Sequence, residues 1–264
     1  MCIRDRLDVA RETEKMIHIQ TRNLYLNETK VAKQLISDGQ LGNVYHARSY
    51  GHRRRGRPFV DGYGTPTFVQ KRNSGGGALY DMGVYHINTI MYLLDNPDVE
   101  RISGKTYQET PINAVRSEKS GYDVEELGLG FIRLAGNKTL DIMESWAVQM
   151  DKFDGSMIFG SKGGIRLDPF GFFRSDDNMD YNITVDMGSY QWRSHTVHEI
   201  GDIYDSSQEH WVAALQGRVE LLPTAEVALN TMLISEGIYL SSRLGREVTA
   251  DEVKEMSEST SVTV

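Results

Sequence analysis

The stretch ELGLGFIRLAGNKTLDIMESWAV, residues 126–148, decides how the 264-residue chain is read. Apolar residues alternate through LGLGFIRL, the run stops at Ala-Gly-Asn, and a second alternating run begins at once. Two β-branched and aromatic runs joined by a short turn-forming triplet predict a hairpin. Outward from it the same texture extends from Val99 to His198, as VERISGKTYQ, SMIFGS, GIRL, YNITVDM and YQWRSHTVH, punctuated by SKGG and DPFG. Consecutive strands without intervening helices predict a mostly antiparallel sheet.

Helical patterns flank this region. LNETKVAKQLISDG reads as a helix with Asn27 as N-cap and Gly39 as its stop, Leu26 and Val31 standing at the two staple positions. MIHIQ is a short strand candidate and NVYHARSYGH a longer one. A helix over Ala78–Leu94 ends before Asn96-Pro97. On the C-terminal side, SSQEHWVAALQG has capping-box spacing at Ser206 and Glu209, TAEVALNTMLISEGIYLSSRLG follows Pro223, and a last helix is capped by Thr249 with Glu252 three residues on. The polar end SESTSVTV is expected to fray. At the start, MCIRDR resembles a translated sequencing-adapter scar, which would make residues 1–6 non-native.

Composition narrows the function classes. With 29 Lys plus Arg against 37 Asp plus Glu the net charge is −8, which repels nucleic acid and anionic membrane surfaces at long range. The Arg-Gly-Arg-Pro core of an AT-hook occurs once, in RRRGRP, and in an acidic chain does not carry a DNA-binding reading. Arg53–Arg57 instead rim a cleft, meeting cofactor phosphate or a neighbouring subunit, or form a solvated loop cluster. No run approaches the roughly 18 apolar residues of a membrane span, and Cys2 is the single cysteine. A cytoplasmic protein without internal disulfides is the expectation. His195 and His198 lack a third ligand at diagnostic spacing, so no metal is assigned.

Chemistry concentrates in NSGGGALYDMGVYHIN, residues 73–88. On a helix, Asp81, Tyr85 and Asn88 share a face, while His86 lies about 140° round from Asp81 and is assigned to packing. The three glycines permit close backbone approach by a ligand. A carboxylate one turn before a phenol can orient it or hold substrate hydroxyls. The competing reading from spacing alone is a glycine-rich turn followed by the solvated face of a helix.

GGGALYDMGVYHIN resembles the motif of the glucose-fructose oxidoreductase, inositol dehydrogenase and MocA family (Gfo/Idh/MocA). AKQLISDGQLGNVYHARS, DVEELGLGFIRLAGNKTLDIMESWA, GSKGGIRLDP and LLPTAEVALNTMLISEGIYLSSRLGREV resemble its later segments in order. The resemblance implies an α+β fold: a large, mostly antiparallel sheet with helices on one face, preceded by a Rossmann remnant at residues 1–22 and followed through residues 23–264 as a substrate and oligomerisation domain. It implies an NAD- or NADP-dependent oxidoreductase moving hydride to or from a sugar or polyol, with Asp81 and Tyr85 catalytic and Asn88 at a substrate-binding position. Gln20 and Arg22 then follow the strand nearest the nicotinamide and are candidate cofactor contacts. Tyr63 and Gln70, in the long loop, are candidate substrate contacts, and Glu125 and Glu126 are expected to make structural hydrogen bonds.

The sequence departs from that family in having neither G-x-G-x-x-G nor Glu-Lys-Pro. The expectation is therefore a C-terminal portion, inactive alone, homo-oligomeric through its sheet. Redox-neutral NAD-dependent glycosidase or lyase chemistry, or a non-catalytic oligomerisation module, are the alternatives.

Overall fold

The computed structural model describes residues 2–198 and 201–257. The tail beyond Ser257, expected to fray, lies outside the described residues. In chain order the helices are α1 (Cys2–Glu12), α2 (Asn27–Ser37), α3 (Lys71–Ser74), α4 (Ala78–Asp81), α5 (Gly83–Leu93), α6 (Ala114–Ser120), α7 (Met187–Val197), α8 (Ser207–Leu215), α9 (Thr224–Leu244) and α10 (Ala250–Glu255). The strands are β1 (Val44–His52), β2 (Val99–Tyr107), β3 (Leu127–Leu134), β4 (Lys138–Ser145), β5 (Met157–Gly160), β6 (Gly164–Leu167), β7 (Phe170–Asp176), β8 (Met179–Ile183) and β9 (Val248–Thr249).

Among the described residues all nine strands join one sheet in the order β8-β7-β6-β5-β1-β4-β3-β2-β9. Every neighbouring pair is antiparallel except β1 and β4, which run parallel because the intervening chain crosses through α4, α5 and the β2–β3 hairpin. The predicted hairpin pairs Leu127 with Ser145 and Leu134 with Lys138. Its turn takes positive φ at Gly136 (75°) and Asn137 (57°), a conformation that glycine and asparagine adopt most readily.

Alternation along the strands sends Ile102, Ile132, Leu140 and Ile142 to one face, all buried. There α5 lies on β1 and α9 on β2, and Ile87, Ile90, Ile234 and Ile238 complete the core. Burying each such side chain contributes about 1.5–3 kcal/mol. The opposite face is more open, with Phe131 42% exposed and an Arg48–Asp141 pair bridging β1 and β4 at 2.9 Å.

Four local expectations change, the first being that α2 begins at Asn27 itself, with Leu26 at the cap position and no side-chain cap hydrogen bond. Met16–Gln20 pairs with no strand among the described residues. The segment docks against the C-terminal helices instead: Ile19 N donates to Thr224 Oγ1, and the His18 ring meets Ser207 Oγ at 2.7 Å while stacking on Trp211. Residues 190–197 of the segment read as a strand belong to α7, and His198 follows as its C-cap. The Asp186 carboxylate accepts from Ser189 N at 2.9 Å and starts the helix, which satisfies its own backbone without a sheet partner. The helix expected over 78–94 divides at Met82 into α4 and α5. No helix among the described residues is long and apolar enough to cross a membrane.

Candidate active site

The long loop after β1 is fastened to the end of β4. Arg53 N donates to Ser145 O and Gly56 N to Trp146 O, both at 2.8 Å. Arg57, one of the arginines read as a cleft rim, is 1% exposed. Its guanidinium meets Asp61 at 2.8 Å and Glu126 at 2.9 Å, and Glu126 also accepts from Glu109 N at 2.9 Å. Arg57 is thus a structural tie, and Arg54 and Arg55 are exposed. Only Arg53 of this cluster reaches the candidate site.

The glycine trio serves a protein carboxylate. Glu125 is 8% exposed; its Oε2 accepts from Gly77 N and its Oε1 from Leu79 N, each at 2.9 Å. A β-carbon on Gly77 would overlap the Glu125 carbonyl oxygen, and one on Gly76 would overlap Tyr239 Oη. Burial raises the Glu125 pKa, opposed by the hydrogen bonds from Leu79 N and Gly77 N. Close approach is needed here, as the glycines imply, but by Glu125 and Tyr239. The structural role expected for Glu125 and Glu126 is what they have.

Asp81 ends α4 with one oxygen pinned. Its Oδ2 accepts from Trp146 Nε1 at 2.8 Å and lies 3.5 Å from Arg53 Nη1, while its Oδ1 takes no hydrogen bond among the described residues. Trp146 is fully buried, so the indole cannot swing away. Arg53 also donates to the Tyr63 hydroxyl, and that hydroxyl donates to Gly56 O at 2.6 Å. Tyr63 is thereby linked to Asp81 through Arg53. A cavity of about 270 Å³ opens beside Asp81, walled by Phe68, Asn73, Tyr80 and Trp146 among others. Four residues on from Asp81, Tyr85 is 45% exposed, and its hydroxyl takes no hydrogen bond among the described residues.

The other expected contacts are not assembled around these two. Asn88 is 2% exposed, its Oδ1 buried without a partner among the described residues. It lies about 60° round the helix from Tyr85, which is enough to turn it into the core. Gln70 is engaged at both ends of its amide, donating to Ser120 O at 2.7 Å and accepting from Asn73 Nδ2 at 2.6 Å, so it holds the loop together. Gln20 and Arg22 are exposed near the start of the chain. His195 pairs with Asp205 at 2.8 Å, and among the described residues no cluster of three or more His, Cys, Asp or Glu is placed to share a metal ion.

His86, assigned to packing from its helical angle, has a polar partner. Its Nδ1 lies 2.9 Å from Oε2 of Glu144, a fully buried carboxylate whose Oε1 accepts from Ser49 Oγ at 3.1 Å. No short-range signal joins His86 to Glu144, 58 residues away; only the packing of α5 over β1 and β4 does so.

The chain combines a large mixed sheet, helices over one face and a polar cluster at a helix start. Solved structures share this fold. The aldose-aldose oxidoreductase from Caulobacter crescentus complexed with glycerol superposes with a TM-score of 0.63 at 17% identity, covering 94% of this chain and 68% of that one. The WlbA dehydrogenase from Bordetella pertussis in complex with NADH and UDP-GlcNAcA gives 0.67 at 15% identity, over 92% and 67%. The D-glucoside 3-dehydrogenase of Escherichia coli K12 is 23% identical over 254 residues, 93% of this chain and 68% of that protein. Residues 29–166 match the profile of the GFO/IDH/MocA C-terminal domain, and the chain belongs to that family.

The glycine-rich helix start of residues 75–78 is closed to a dinucleotide pyrophosphate. A pyrophosphate needs free backbone N–H groups at a glycine turn opening a helix. At the glycine-rich helix start of residues 75–78 the Gly77 and Leu79 N–H groups are already taken by Glu125.

Proposed function

We propose that this chain supplies the substrate side of an NAD- or NADP-dependent oxidoreductase acting on a sugar or polyol hydroxyl or carbonyl by hydride transfer. In this reading residues 23–264 form the substrate and oligomerisation domain and residues 1–22 the last piece of a dinucleotide-binding domain. The domain is inactive alone and pairs with further copies through the open face of its sheet, where Phe131 is 42% exposed. Family membership and the sugar or polyol chemistry named for its relatives support the substrate class.

The observation that carries the site is a committed carboxylate followed, four residues later in the chain, by an exposed and uncommitted phenol. Asp81 is immobilised through Oδ2 by Trp146 and Arg53, leaving Oδ1 to accept a substrate hydroxyl. Tyr85 Oη, free of protein hydrogen bonds among the described residues, exchanges the proton of the reacting oxygen. Positioned proton transfer of this kind contributes about 10²–10⁴-fold to rate. The test joins this chain to a dinucleotide-binding domain and follows nicotinamide reduction with glucosides and polyols. Tyr85→Phe is expected to lower kcat by about 10²-fold or more with its melting temperature unchanged. Full activity in Tyr85→Phe would remove Tyr85 from the mechanism.

A further inference from the structure

One polar arrangement left over from this reading is the His86–Glu144 pair and the cavity that His86 lines. The cavity measures about 590 Å³, within the roughly 300–1,000 Å³ of small-molecule sites, and lies between α2, α5 and the β5–β7 strands. We propose that His86 is a ligand-contacting residue of this cavity. Glu144 holds it by Nδ1, and its Nε2 is presented to a hydroxyl of a neutral polyhydroxylated ligand. This rests on the sugar or polyol reading above and adds to it a second contact point beside Tyr85.

Three elements build the arrangement. Helix α5 carries the ring, β4 supplies the buried carboxylate 2.9 Å away, and β1 supplies both the Ser49 hydroxyl that takes the second carboxylate oxygen and a glycine beneath the ring. A β-carbon at Gly51 would overlap His86 Nδ1 and Cε1 and stand close to Glu144 Oε2. Stability does not account for such a pair, since well-packed apolar residues of similar volume usually serve a core as well or better. With Nδ1 committed, Nε2 is the remaining polar atom of the ring, and it takes no hydrogen bond among the described residues.

The walls select the ligand. No lysine or arginine lines the cavity, and its two carboxylates, Glu28 and Asp168, take no hydrogen bond or salt bridge among the described residues. Phosphorylated and carboxylated ligands are disfavoured by these charges, whereas hydroxyls can donate to both acids. Leu26, Leu167 and Phe170 provide apolar surface for the C–H face of a sugar ring.

The experiment is long-range proton–nitrogen NMR of the histidine rings in the chain as it is. Methyl β-D-glucopyranoside, D-glucose and glucose 6-phosphate are the probes. The neutral sugars are expected to shift the His86 ring signals saturably, and the phosphate not to. His86→Leu should weaken the methyl glucoside affinity about tenfold or more, and Gly51→Ala, which displaces the ring without altering it, should weaken it similarly. His86→Gln, which keeps a polar donor, should recover part of the loss. Saturable binding that leaves the His86 ring unmoved and survives His86→Leu would overturn the proposal. So would the absence of saturable binding by either neutral sugar. Sugar binding at His86 with no hydride transfer in the two-domain protein that keeps Tyr85 would sink the oxidoreductase reading and leave this one standing. Turnover that depends on Tyr85 with KM unchanged in His86→Leu would do the reverse.

Discussion

At the residue scale the domain is organised by buried charges with specific partners, and their removal is measurable. Replacing Glu125 by alanine strips the Gly77 and Leu79 N–H groups of their acceptor in a buried setting. The expected loss is about 2–4 kcal/mol in urea unfolding, from roughly 1–3 kcal/mol per orphaned group. Arg57→Ala leaves Glu126 buried without its cation and Asp61 with only the exposed Arg55 at 3.7 Å, and should cost about 3–5 kcal/mol by the same measurement. His86 gives a pH signature. Burial disfavours its charged form, but the Glu144 charge and hydrogen bond prevail over it and over Arg53, with Asp168 adding to them, and raise its pKa above 6.5. The folded state therefore holds the proton more tightly than the unfolded chain does. The associated stability is complete below about pH 6.5 and is lost as pH rises through the raised value. Melting temperatures from about pH 6 to about pH 9 should fall more steeply for the native protein than for His86→Gln. Equal slopes would show that the pair does not hold its proton in this range.

At the scale of elements, the expected caps of α8 and α10 are present, whereas Asn27 does not cap α2: Leu26 holds the cap position with no side-chain hydrogen bond. Thr249 and Glu252 form the reciprocal capping box their spacing predicts, with Glu252 N to Thr249 Oγ1 at 3.2 Å and Thr249 N to Glu252 Oε2 at 2.7 Å. Thr249→Ala is expected to lower stability by about 1 kcal/mol in denaturant titration. Ser206 caps α8, although Glu209 takes the Ser206 hydroxyl as its partner. The β3–β4 hairpin was legible because its turn and its alternation reinforce each other. YQWRSHTVH was misread for a physical reason: its aromatic and β-branched residues favour a strand only where a neighbouring strand accepts its backbone, and Asp186 instead caps it as a helix. MIHIQ was misread on the same ground, its Ile19 N–H going to a helix-start threonine. In α5, helical spacing grouped Tyr85 with Asn88, but neighbouring core packing put one on the surface and the other inside.

At the scale of the whole molecule, the sheet is covered by helices on one face and comparatively open on the other, which is where we place association with further copies. Phe131→Glu is expected to shift sedimentation toward the smallest species while leaving the melting temperature nearly unchanged; an unaltered profile would remove that face from the interface. Calorimetric titration of the chain with NAD and NADP is expected to show no binding, because its glycine-rich helix start is closed by Glu125.

Sequence alone determined what depends on neighbours along the chain: the strand alternation, the Ala-Gly-Asn turn, the caps of α8 and α10, and the acid and phenol four residues apart in a family motif. Tertiary structure alone decided which polar groups face protein and which remain free. Glu125 reaches back 48 residues to Gly77, Arg57 reaches forward 69 to Glu126, and His86 meets Glu144 across 58. Periodicity is set by local backbone geometry, which the sequence displays directly. The partner of a buried charge is set by which strands and helices pack together, and no local pattern in this chain records that.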